Sequence, residues 1–86
     1  MIGYWQIVVV VYRESGLRFV IFVDDHAPPH VHVYGDCAAR INLIGPMGGP
    51  KLVNAVGMKA SDLRQAVRIV GERQALLLKR WREIHA

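Results

Sequence analysis

His30-Val31-His32-Val33-Tyr34-Gly35-Asp36-Cys37-Ala38-Ala39-Arg40-Ile41-Asn42 reads as two alternating strands about a tight turn. Successive strand side chains point to opposite faces. Val31 and Val33 therefore share one face, while His30, His32 and Tyr34 share the other. Past the turn, Ala39 and Ile41 alternate with Arg40 and Asn42. A loop of Gly35, Asp36 and Cys37 sets Tyr34 opposite Ala38, His32 opposite Arg40 and His30 opposite Asn42. A loop shorter by one residue would place valines against Arg40 and mix the faces. Register keeps the apolar set together. The longer loop is therefore predicted, and with it a polar cluster of His30, His32, Arg40 and Asn42.

Upstream, Trp5 to Tyr12 is almost wholly β-branched or aromatic. Such a run predicts a strand buried on both faces or covered by a partner. Glu14-Ser15-Gly16 is a turn signal, and Leu17 to Asp24 returns as a second strand. Leu17, Phe19, Ile21 and Val23 fall on its apolar face. Asp25-His26-Ala27-Pro28-Pro29 is a stiff loop, because proline fixes φ and lacks a donor. Gly45 to Pro50 is a connector without the lysine and hydroxyl ending of a phosphate loop. Lys51 to Val56 reads as a short strand or an irregular segment.

The last third is helical. Ser61 is the expected N-cap, with Asp62 in the first turn. Leu63, Val67, Val70, Gln74, Leu77, Trp81 and Ile84 form one stripe at spacings of four and three. Gln74 alone breaks it. A continuous helix over 61–85 would be roughly 37 Å long. Strands of roughly 20 Å do not cover that length. Either the helix bends or splits near Gly71, or its end meets another chain. The expected fold is a single α+β domain over 1–86: a four-stranded antiparallel sheet at about 5–44, then a long C-terminal helix at about 61–85. The histidine face is expected opposite the helix.

A chain of 86 residues has no room for a second core, so one domain is expected. The longest apolar run, Ile7 to Tyr12, is too short to span a membrane. Met1 to Gln6 has no basic start or small-residue cleavage site, so no signal peptide is expected. Cys37 stands alone and cannot form an intrachain disulfide. These features favour the cytoplasm. A net charge of +4 suits nucleic acid or an acidic partner. The apolar first strand and long helix leave a homo-oligomer open.

Three histidines crowd the segment 24–33. His30 and His32 suit an acid–base pair acting on an RNA phosphodiester: one accepts the 2′-hydroxyl proton and the other protonates the leaving oxygen. Arg40 would stabilise charge on the phosphate. His26, Arg18 and Asn42 are substrate-binding candidates. If the chain is an enzyme, it reads as a metal-independent endoribonuclease with no cofactor. An alternative is a metal site of His26, His30 and His32 with Asp24 or Asp25, although no Cys pair or His-Glu-x-x-His helix is present. The plain alternative is an exposed polar sheet face. A non-catalytic interaction domain is a further reading, with Trp5 and Trp81 as partner anchors. Trp81 also fits a core position. The basic helix residues fit either a phosphate track or a solvated face.

Tyr12-Arg13-Glu14-Ser15-Gly16-Leu17-Arg18-Phe19 and Asp25-His26-Ala27-Pro28-Pro29-His30-Val31-His32-Val33 resemble a small bacterial family catalogued as a domain of unknown function. Ala39-Arg40-Ile41 and the helix ending near Trp81 fit as well. Members are described as DhiT-like toxins of type II toxin–antitoxin pairs. The resemblance implies a cytoplasmic toxin neutralised by direct contact with a small cognate antitoxin that binds DNA. The family motif falls on Asp25, His26, Pro28, Pro29, His30 and His32. It names a motif rather than a mechanism. The apolar start Trp5 to Val11 and the Gly45 to Pro50 loop depart from the family pattern.

Overall fold

Hydrophobic alternation builds an antiparallel meander. The computed structural model describes residues 7–86. Its strands are β1 (Val8–Glu14), β2 (Leu17–Phe22), β3 (His30–Tyr34), β4 (Ala38–Asn42) and β5 (Lys51–Val56). They lie side by side in chain order. Two helices follow, α1 (Ala60–Glu72) and α2 (Gln74–Ile84). The α+β class and the antiparallel sheet agree with expectation, but the sheet has five strands rather than four. Lys51 to Val56 pairs along β4 as an exposed edge strand. Its own sequence lacks the alternation that marks a half-buried strand, so only its pairing with β4 defines it.

The β3–β4 register is the predicted one, with His30 opposite Asn42, His32 opposite Arg40 and Tyr34 opposite Ala38. The β1–β2 turn is Ser15-Gly16, both at positive φ (55° and 75°). Such turns match the natural twist of a hairpin. A bulge between Val10 and Tyr12 shifts the β1 register. β1 is not buried on both faces: Val8 and Val10 are exposed at the sheet edge. Val23 lies beyond the end of β2 and is exposed as well. Trp5 lies outside the described residues.

Phe19, Ile21, Val31, Val33 and Ile41 project from one sheet face into the core. Ile69, Val70, Leu77 and Trp81 meet them from the helices. The apolar stripe is thus used in full, but not by one straight helix. Arg73 departs from helical backbone (φ −108°, ψ 19°) and separates α1 from α2. Two contacts hold this break. Arg73 Nε–H donates to the Tyr12 hydroxyl at 2.9 Å. Gln74, the polar interruption of the stripe, donates through Nε2 to the carbonyls of Leu43 and Gly48 at 2.7 and 2.9 Å. It ties α2 to the β4–β5 connector. The expected Ser61 cap also differs. Lys59 occupies the N-cap without a side-chain cap, and Ser61 lies within α1. Among the described residues, no helix is long and apolar enough to cross a membrane.

Candidate functional site

The site forms where β2 ends and β3 begins. At the end of β2 the Asp25 N–H donates to the Phe22 carbonyl at 3.1 Å. The Phe22 N–H returns a bond to Asp25 Oδ2, also at 3.1 Å. This closed turn aims the carboxylate back toward the sheet. The loop then passes through Pro28 and Pro29, with a cis Ala27–Pro28 peptide. The Leu43 N–H donates to the Pro29 carbonyl at 2.9 Å and anchors the loop beside β4.

Strand alternation places His30 and His32 on one face. Asp25 Oδ2 lies 3.2 Å from His30 Nε2 and 3.4 Å from His32 Nε2. His30 Nδ1–H donates to the Pro28 carbonyl at 2.8 Å. A carbonyl only accepts, so this contact requires the proton on Nδ1. The His32 ring stacks on Phe22, with centroids 4.5 Å apart and planes 19° apart. The His30 ring meets His32 edgewise at 5.1 Å and Trp81 at 5.2 Å. His85 stacks in turn on Trp81 at 3.9 Å. An aromatic array from Phe22 to His85 therefore fixes both imidazoles.

Burial separates the two histidines. His30 is only 2% exposed, whereas His32 is half-buried. The histidines do not form one open face opposite the helices, because Trp81 of α2 covers His30. Trp81 is itself 7% exposed and belongs to the core, so it is not a displayed partner anchor. Burial lowers the pKa of His32 below its ordinary value of 6.5, and His30 and Arg40 reinforce that shift while Asp25 opposes it. A neutral His32 at neutral pH follows. Its Nε2 atom, Arg40 Nε and Asn42 Oδ1 are buried without hydrogen-bond partners.

Arg40 stands opposite His32, and Asn42 opposite His30. Asp25, His30 and His32 offer three ligand atoms within 4.8 Å of one another. His26 is exposed and outside that group. Arg18 is exposed further along β2, opposite Tyr34. The sequence motif contains Asp25, but its convergence on the imidazoles is a loop event. The sequence offers Asp24 or Asp25 as a further ligand, and the loop selects Asp25. The Pro28 carbonyl and the Phe22 and Trp81 walls are likewise tertiary features.

Fold and site together define an α+β protein with a histidine–carboxylate cluster at the end of an antiparallel sheet. The family model described as a domain of unknown function (DUF4160) matches residues 16–82. The chain belongs to this family. No curated protein and no solved structure matches it at a significant level.

Proposed function

We propose that the chain is the toxin component of a bacterial type II pair, acts on single-stranded RNA across the sheet face that carries Arg13, Arg18 and Arg40, and is neutralised by direct contact with a small antitoxin. The observation that carries the RNA reading is the distribution of cations. Arg13 and Arg18 stand directly opposite each other on β1 and β2. Neither they nor Arg40 has a carboxylate partner among the described residues. Like charges so placed oppose each other, and a bound polyanion removes that cost.

The same face carries rings. Phe22 and Tyr34 line a groove of about 440 Å³ with Arg13, Arg18 and Val20. His32 adjoins Val20 across β2 and β3. Phosphates on guanidinium groups and bases on aromatic faces are the general means of holding a single strand. Glu14, Asp36 and Asp62 line the cleft at the turn end. Arg13, Arg18 and Lys59 line the same cleft and balance that charge. The net charge of +4 favours a polyanionic partner.

Within this reading, neutral His32 takes the proton of a 2′-hydroxyl as that oxygen attacks the phosphorus, Arg40 stabilises the phosphate, and the imidazolium of His32 returns the proton to the 5′-oxygen that leaves. His30 is too deeply buried to meet the strand and is a positioning residue. The toxin assignment rests on the resemblance of the Asp25–His32 motif to DhiT-like toxins. Cytoplasmic action follows from the same assignment.

Growth after induction tests the proposal, with wild type, Arg18→Glu/Arg40→Glu and His30→Ala/His32→Ala at matched soluble levels. The expected result is arrest by the wild type alone. Fluorescence anisotropy with a labelled single-stranded RNA should show binding lost in the arginine variant. Harmless wild type, or RNA binding indifferent to the arginines, would overturn the proposal in favour of a non-catalytic interaction domain.

A further inference from the structure

We infer that Asp25, His30 and His32 form a binding site for a first-row divalent cation of the Zn²⁺ class, with Asp25 Oδ2 and both Nε2 atoms as ligands. The inference rests on the RNA reading only for what the ion would act upon, and an occupied site makes His32 a ligand, so its proton-accepting role belongs to the metal-free chain. Binding itself follows from the arrangement of the donors.

His30 is the starting point. Its Nδ1–H is committed to the Pro28 carbonyl. In the neutral ring, Nε2 therefore carries a lone pair. That lone pair lies 3.2 Å from a carboxylate oxygen. His32 Nε2 lies 3.4 Å from the same oxygen, is sealed from solvent and has no hydrogen-bond partner. Three electron-pair donors thus converge. A proton bridges one of the two gaps and leaves the other. A divalent ion satisfies all three at once.

The spacing agrees. Ligands about 2.0–2.1 Å from a tetrahedral ion are separated by about 3.3–3.4 Å. The two nitrogen–oxygen separations, 3.2 and 3.4 Å, match that edge length, and all three donor atoms lie within 4.8 Å of one another. The outer contacts agree as well. A metal-binding imidazole commonly donates its other N–H to a carbonyl, as His30 does to Pro28. The Phe22 N–H holds the Asp25 carboxylate in the same manner. Two imidazoles and one carboxylate favour zinc or a neighbouring transition ion over calcium or magnesium. Three protein ligands leave a fourth position, and His32 is the less buried of the two imidazoles. Arg40 stands opposite His32. His26 has no part in this set.

The test uses the full chain without a histidine tag and without RNA. Zn²⁺ titration calorimetry and the visible spectrum of added Co²⁺ read binding directly. One ion per chain is expected, with a Co²⁺ spectrum of the intense tetrahedral type. His32→Ala and Asp25→Ala should each weaken binding by at least about 100-fold, beyond the 10–100-fold seen when only an outer contact is lost. His26→Ala and Cys37→Ser should bind as the wild type does. Absence of uptake by the wild type would overturn the inference. So would binding that survives both His32→Ala and Asp25→Ala, or that is lost in His26→Ala or Cys37→Ser. The wild-type titration decides the matter even if a variant misfolds. Metal uptake without RNA binding would overturn the RNA reading alone.

Discussion

His32 is held by Phe22 on its face and His30 at its edge, and its Nε2 faces the Asp25 carboxylate at 3.4 Å without a hydrogen bond. Its lowered pKa ties stability to pH. The unfolded chain takes up this proton first as pH falls past 6.5, so the metal-free fold is stable above that pH and weakens below it. Urea midpoints at about pH 7.5 and 5.5 should show the loss, and His32→Asn should flatten it. Gln74 acts at the same scale. Its amide satisfies two loop carbonyls, so Gln74→Ala should cost roughly 1–3 kcal/mol in chemical denaturation. Trp81→Ala should cost roughly 3–5 kcal/mol and uncover His30. The Gln74 role is hidden in the sequence, where the residue reads only as a flaw in an apolar stripe.

Among the elements, β1 and β2 carry a conflict that separates stability from function. Arg18→Glu replaces a like-charge pair with an opposite-charge pair across the strands. It should raise stability by about 0.2–1 kcal/mol while weakening RNA binding, a combination readable by thermal unfolding and anisotropy. The β3–β4 hairpin was legible because both strands alternate strictly and only one register keeps Val31, Val33, Ala39 and Ile41 together. β5 was less so, since its partner β4 defines it. The stripe keeps its spacing across Arg73 and changes only in polarity at Gln74, so periodicity alone does not separate α1 from α2. Anchors on Tyr12, Leu43 and Gly48 mark that break.

For the whole molecule, the sheet face that carries Arg13, Arg18 and Arg40 predicts a salt dependence. Each phosphate contact on a single strand contributes about −0.7 to the slope of log K against log salt. Arg13, Arg18 and Arg40 together predict a slope of about −2, reduced by about 0.7 in Arg40→Gln. Anisotropy titrations at several salt concentrations check both values. The sequence by itself determined the α+β class, the core faces of β2 to β4, the β3–β4 register and the stripe that α1 and α2 bury. Those features follow from local periodicity, which each segment carries in its own residues. Only the tertiary structure decided that Asp25 joins His30 and His32, that His26 stays outside, and that Trp81 closes over His30. Those contacts depend on how a proline loop and a broken helix return to the sheet, and chain spacing holds no measure of that path.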